Sequence, residues 1–220
     1  MKREIFITTD GSTSIHIPEW GESYHSKHGA IQEAQHVFIK NGFSMCRDET
    51  IAILEIGFGT GLNAFITFLE ATKTKQTVEY VGVEGFPISE EEALKMNYVS
   101  ELKATEFEAV FKVFHKSEWD QRIAITPTFN LTKRKQLFDQ INDIEQFNLI
   151  YFDAFGYRVQ PELWSLAIFQ RMYAALKQGG ILVTYACRGP IKNAMKEAGF
   201  QIEKLAGPPG KREMLRGTKV

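Results

Sequence analysis

The sequence is poor in the features that mark secreted, membrane-bound and metal-built proteins. Its 220 residues hold two cysteines, Cys46 and Cys187, far apart and in unrelated surroundings. Neither a disulfide framework nor a thiolate metal site is therefore expected. No apolar run approaches the roughly 20 residues of a membrane-spanning helix. The opening "MKREIFITTDGSTSIHIPEW" also lacks the apolar stretch of a signal peptide. His16, His25, His28, His36 and His115 show no zinc-binding spacing. Net charge is only −1, so no global field argues for a polyanionic partner. No repeat, low-complexity tract or linker divides the chain. These absences predict a soluble cytoplasmic protein with no metal and no membrane association, built around one core. Within it, residues 1–45 read as a hairpin and helix packed on a unit spanning 46–220.

Charge is nevertheless uneven. Glu70 to Asp120 carries 11 acidic against 6 basic residues, whereas Ala186 to Val220 carries 8 basic against 3 acidic. The basic end suits a polyanion or a solvated surface, and charge alone does not separate the two. "REIFITT" and "STSIHI" flank Asp10-Gly11, a hairpin signal. "GAIQEAQHVFIK" has helical apolar spacing, as does the phenylalanine-rich region from Glu101 to Trp119. "IAILEI", "VEYVGVE", "RIAIT" or its neighbours, "FNLIYFDAF" and "GGILVTYAC" read as successive strands, and "GFQIEKL" with "REMLRGT" as a closing antiparallel pair. "KRKQLFDQIND" and "PELWSLAIFQRMYAALKQ" read as helices between them. The alternation predicts a doubly wound, mostly parallel α/β sheet.

The densest chemistry lies in "LEIGFGTGLNAF", residues 54–65. A dinucleotide fingerprint needs a third glycine where this chain has Leu62. The turn instead places Gly57, Gly59 and Gly61 two residues behind Glu55, after a buried strand and before a helix. Carboxylates at Glu55 and at Glu84, which ends the next strand, would repel a pyrophosphate and suit a sulfonium ligand with an ammonium group. Glu84 also stands where α/β nucleotide folds place an acid on ribose hydroxyls. Its alternative is a solvated strand-end acid.

A second stretch, "YFDAFGYRVQPELW", puts Asp153 at the carboxyl end of a strand between Phe152 and Phe155. There a carboxylate can hold a substrate amine in line for attack, or merely cap a turn. An amine attacks only when unprotonated, so the site must also favour loss of a proton.

The pair "EIGFGTGLNAF" and "FDAFGYRVQPELW", closed by "GKREML", resembles the methyltransferase domain of the MnmC family, which modifies the tRNA wobble uridine. "ESYHSKHGAIQEAQHVFIKNGF" and "GVEGFPIS" are similar to further blocks of that family, so the likeness runs from about Gly21 to the C-terminus. The resemblance implies a Rossmann-like class I fold, a mostly parallel seven-stranded sheet with an antiparallel final strand. It implies methyl transfer from S-adenosyl-L-methionine to the primary amine of 5-aminomethyl-(2-thio)uridine on the tRNA anticodon stem-loop. By position, Gly57, Gly59, Gly61 and Asn63 would line the methionine moiety, with Glu84 on the ribose and Phe58, Gly85 and Phe155 around it. Tyr24 would close over the cofactor and Asp153 would be catalytic, beside the reacting groups. Arg158, Lys211 and Arg212 would meet the substrate, although Lys211 and Arg212 equally suit bracing of the last strands. Bifunctional members add a flavin-dependent oxidase domain, for which 220 residues leave no room. Lys133, Arg134 and Lys135 stand where longer relatives have an acid near adenine, and Ala154 replaces a glycine. The same residues would serve a methyltransferase of small-molecule or protein amines, and a non-catalytic binding module remains the third alternative.

Overall fold

In the computed structural model, which describes residues 2–220, three short strands open the chain: β1 (Glu4–Ile7), β2 (Thr13–Ile17) and β3 (Glu22–Ser23). They pair antiparallel in that order. The expected hairpin is thus a three-stranded sheet, because β3 returns along β2 through His16 and Ile17. Asp10 ties this sheet down. Its carboxylate accepts from Thr8 Oγ1, from the Ser12 amide and, through Oδ2, from the Gln32 amide of the next helix. That helix, α1 (Ala30–Ala34), widens into a π-helical segment, Gln35–Lys40, so Val37 and Phe38 stay in the core.

The main sheet follows. β4 (Thr50–Ile56), α2 (Leu62–Ala71) and β5 (Thr77–Glu84) form the first unit. α3 (Glu90–Ala93), α4 (Tyr98–Glu101) and α5 (Glu108–Lys116) lead to β6 (Arg122–Thr126) and β7 (Phe129–Lys135). β8 (Phe147–Phe152), α6 (Leu166–Ala175), β9 (Leu176–Thr184), α7 (Gly189–Glu197), β10 (Phe200–Ala206) and β11 (Glu213–Lys219) complete the chain. The order across the sheet is β10-β11-β9-β8-β4-β5-β7-β6. β9, β8, β4, β5 and β7 are mutually parallel, and β11 is antiparallel to both neighbours.

The α/β Rossmann-like class is therefore as expected, with the last strand antiparallel, but the sheet has eight strands rather than seven. The extra one is β6, "RIAIT", an antiparallel edge strand, so of the two candidates for the third parallel strand its neighbour takes the place. That place belongs to β7, "FNLTKRK", whose basic end resembles a helix surface in sequence. Alternation explains it: Phe129, Leu131 and Lys133 all point inward. Lys133 is tolerated there because its ammonium donates to the His115 carbonyl and lies 4.8 Å from the Trp119 ring centre. Beyond β7, "FDQ" forms a single 3-10 turn, so the expected helix over "KRKQLFDQIND" is absent. The expected long helix after Pro161 is also broken, at Ser165, into a 3-10 turn and α6.

Two apolar layers cover the sheet. One combines Ile15, Val37 and Phe38 with Ile53, Phe65, Phe68 and Phe114, so the N-terminal segment shares its core with the sheet. The other packs Ile150 and Phe152 against Trp164, Phe169, Met172 and Met195. β4 and β8 are neighbours, and the chain leaves β4 toward β5 on one side and β8 toward β9 on the other. Open α/β sheets bind ligands at the carboxyl end of such a switch point.

Candidate active site

At that switch point the backbone leaves β4 through three left-handed glycines, Gly57 (φ 90°), Gly59 (φ 50°) and Gly61 (φ 70°). The Gly57 and Phe58 amides both donate to the Val83 carbonyl, holding the turn against β5. On the other side a Cβ on Gly57 would stand 2.7 Å from the Asp153 carbonyl oxygen. Glycine is required there on two counts, conformation and space. Gly61 caps α2 with no side-chain partner, leaving first-turn amides at Leu62 and Asn63 on the wall of a cavity.

The cavity measures about 1010 Å³. One lobe runs over Gly57, Phe58, Gly59 and Asn63 to Glu84, Gly85 and Phe86. Glu84 receives the Gly59 amide on one oxygen (3.0 Å) and the Phe86 amide on the other (2.9 Å). Each oxygen keeps a lone pair for a further donor. Phe86 and Leu137, exposed apolar side chains, bound the far end with Phe138 and Asp139. Asp139 is an acid in the 3-10 turn that follows the third parallel strand, a cavity-lining residue missed in sequence because that segment reads as helix. Correct assignment of the inward alternation in "FNLTKRK" would have exposed it.

The second lobe is built from Trp20, Tyr24, His25, Glu33, Phe155 and Lys211. Phe155 meets Trp20 and Tyr24 edge-to-face at 5.2 and 5.0 Å. The Tyr24 ring lies on the glycine turn, where a Cβ on Gly59 would meet it at 3.2 Å. Burial pushes the Tyr24 phenol up to about 12, so it is a neutral donor. His25 also lines this lobe. Burial holds it down to about 4, hence uncharged, and Nδ1 lies 3.0 Å from Ser14 Oγ.

Asp153 sits between the lobes. Its Oδ2 accepts from Asn63 Nδ2 at 2.8 Å, and the same amide nitrogen donates to Glu55 Oε1 at 2.9 Å. Burial raises the Asp153 carboxyl to about 7, helped by the charge of Glu33 and opposed by the Asn63 hydrogen bond and Lys211. Glu55 differs from expectation. It is completely buried beneath Asn63, does not line the cavity, and burial lifts its carboxyl well above the usual range. It therefore supports Asn63 from within the core and is not an exposed carboxylate. Gly61 likewise shapes the turn without lining the cavity, with His115 packed at the spot its side chain would need.

Arg158 and Arg212 lie outside this cavity, in an adjoining groove of about 630 Å³ that also holds Arg188 and Tyr157. Cavity and groove share Glu22, Gly156, Tyr185 and Lys211. The three arginines are exposed, and only Arg158 approaches a described carboxylate, Glu22 at 3.9 Å. Lys211 turns the other way, pairing with buried Glu33.

A glycine turn at the switch point, a strand-end acid and a carboxylate near neutrality define the class as a donor-binding α/β transferase. A family model described as S-adenosyl-L-methionine-dependent methyltransferase matches residues 96–220, more than half of the chain, and the chain belongs to that family. It is 27% identical over 219 residues to the tRNA 5-methylaminomethyl-2-thiouridine biosynthesis bifunctional protein MnmC of Marinomonas sp. (strain MWYL1), covering 92% of this chain and 32% of that protein. Its counterpart in Burkholderia mallei (strain SAVP1) is 30% identical over 222 residues, covering 91% and 33%. The chain thus spans about a third of the length of these curated relatives. Among solved structures, MnmC2 from Aquifex aeolicus superposes with a TM-score of 0.74 at 24% identity, covering 99% of this chain and 70% of that one. A spermidine synthase bound to the transition-state analogue AdoDATO gives 0.59 at 14% identity, covering 99% and 70%. Both likenesses concern the fold.

The cofactor of the family is S-adenosyl-L-methionine, and the residues present fit it. Asn63 Oδ1 is buried and has no partner, while both hydrogens of its Nδ2 are engaged. A buried orphan acceptor on a cavity wall calls for a donor from a ligand, such as an ammonium group. No helix of the described residues is long and apolar enough to cross a membrane.

Proposed function

We propose that the chain methylates the primary amine of 5-aminomethyl-uridine, with or without the 2-thio group, at the wobble position of tRNA in the cytoplasm. The observation that carries this reading is Asp153. It is a carboxylate held by Asn63 at the junction of the glycine-turn lobe and the aromatic lobe, titrating near 7. A group of that pKa can take the proton that an incoming ammonium must lose.

Bound in the first lobe, S-adenosyl-L-methionine supplies an electrophilic methyl carbon on a sulfonium. The Gly57–Gly61 turn and Asn63 would receive its methionine end, Glu84 its ribose hydroxyls, and Asp139 with Phe86 and Leu137 its base. Tyr24 and Phe155 would shut the reacting centre from water. The cavity lies at the upper end of the about 300–1,000 Å³ usual for ligand sites, which leaves room for a base beside the donor. The groove bearing Arg158, Arg188 and Arg212 opens from the acceptor side, where a flipped-out nucleotide would enter with its phosphates outside. The names of the curated relatives and the sequence motifs support tRNA as the carrier of the amine.

Incubation of hypomodified tRNA with the protein and labelled S-adenosylmethionine, followed by nucleoside mass spectrometry, tests the reading. Labelled methylaminomethyl-uridine is expected. Label in free amines or protein, with none in tRNA, refutes it.

A further inference from the structure

The dipeptide Lys211-Arg212 is split by the fold. Arg212 is exposed in the groove, whereas Lys211 is half-buried at its inner end and reaches the acceptor lobe. The turn before it is fixed at Gly210 (φ 83°), which lies directly against the His28 ring. Lys211 Nζ pairs with Glu33 of α1 and stands 4.1 Å from the ring centre of Tyr185. Glu33 is itself held, its other oxygen accepting the Ser26 amide at 3.0 Å. An ammonium fixed by a buried carboxylate and an aromatic face is not free for a phosphate.

We infer that the Glu33–Lys211 ion pair is a positioning device that sets the proton balance around Asp153, and that Lys211 is not a ligand of the nucleic-acid backbone. This rests on the methyl-transfer reading above. Transfer to a primary ammonium passes one proton to Asp153 and on to solvent. The N–C bond then forms as the C–S bond breaks, its electron pair leaving on sulfur.

The groups facing Asp153 decide whether that proton leaves. Asn63 donates to it, burial biases the Glu55 carboxyl beneath toward its uncharged form, and Tyr185 is a phenol engaged with the Ala154 carbonyl and pushed up by burial. His25 is uncharged, and Glu22 at the mouth is met by Arg158. In the acceptor lobe the charges left are Asp153, Glu33 and Lys211, one net negative facing a cationic donor, while Glu84 and Asp139 line the other lobe. A neutral amine then suits the site better than an ammonium. Without Lys211 two negative charges face the amine and keep its proton on; without the charge of Glu33 the carboxylate loses its proton more easily.

Carbon-13 NMR of labelled aspartate carboxyls in the ligand-free protein, with Asp153 assigned through Asp153→Asn, reads this directly. Lys211→Met should raise the Asp153 midpoint and Glu33→Gln lower it, each by about one pH unit. The double variant should return toward the parent value, and Lys211→Arg should leave it in place. The acid limb of kcat on aminomethyl-uridine tRNA should move in parallel, with the salt slope of tRNA binding unchanged. An unmoved midpoint in Lys211→Met together with a flatter salt slope overturns the inference and makes Lys211 a phosphate ligand. If Lys211→Met does not fold, Glu33→Gln decides alone, and absence of a downward shift overturns it. Failure of the parent protein to methylate tRNA would strike the functional reading, while the NMR midpoints would still judge the ion pair.

Discussion

Replacing Glu55 by glutamine separates a buried neutral support from an ionised cofactor ligand. Glu55 has no exposure, and burial raises its carboxyl well above its ordinary 4.5, with the Asn63 hydrogen bond opposing and the charge of Asp153 adding. Folding therefore favours the protonated form of Glu55 relative to the unfolded chain, whose carboxyl loses its proton above pH 4.5. Stability from this residue is fully present below that value and falls as pH rises through the folded-state pKa. Each pH unit over which the fold holds that proton costs about 1.36 kcal/mol. Glu55→Gln keeps the oxygen that accepts from Asn63 and removes the titration. Denaturant midpoints from pH 5 to 8 should fall with pH in the parent more steeply than in the variant, and the variant should be equally or more stable at pH 7. Calorimetry should find its S-adenosylmethionine affinity within a few-fold of the parent. A loss of affinity of tenfold or more, with no change in the pH dependence of stability, would refute the reasoning and restore Glu55 as an ionised ligand.

Other outcomes follow from the same geometry. Asp153→Asn should retain the Asn63 contact and donor binding but lower kcat by about 100-fold or more, and abolish the limb near pH 7 in a kcat–pH profile. Gly82→Ala, in the middle of β5, would place a Cβ 2.3 Å from the Phe58 ring. It should destabilise by about 1–3 kcal/mol in chemical unfolding and weaken donor binding through the displaced turn. Neutralising Arg158, Arg188 and Arg212 singly should each reduce the slope of log affinity for tRNA against log salt by up to about one. Binding isotherms at several ionic strengths check this, and unchanged slopes would exclude the groove as the phosphate path.

Much of the fold is legible because its signals are local. "IAILEI" is apolar at almost every position since β4 is buried on both faces, and the glycines behind it are needed by a turn wedged between Val83 and Asp153. Ser89 announces α3 through a capping box with Glu92. The misreadings share one cause. The basic residues of "FNLTKRK" look solvent-facing, but Lys133 can be buried only because His115 and Trp119, remote in sequence, receive its ammonium. With Lys133–Lys135, the end of β7, read into the helix "KRKQLFDQIND", Asp139 went unseen. Ser165 breaks the helix after Pro161, while the Trp164 indole donates to the Phe155 carbonyl and turns that segment toward the site.

By itself the sequence determined the class of sheet, the position of the ligand-binding turn and the strand-end carboxylates Glu84 and Asp153, since each depends on a few consecutive residues. Only the tertiary structure decided which charges operate. Glu33 and Lys211, 178 residues apart, meet because α1 and the last hairpin close over the same end of the sheet. Glu55 and Asp153 have equivalent strand-end signals, yet one is sealed in the core, its carboxyl raised well above the usual range, while the other stands at the cavity and titrates near 7. Solvent exclusion and neighbouring charge set a carboxylate's behaviour, and both belong to the packed molecule rather than to any stretch of chain.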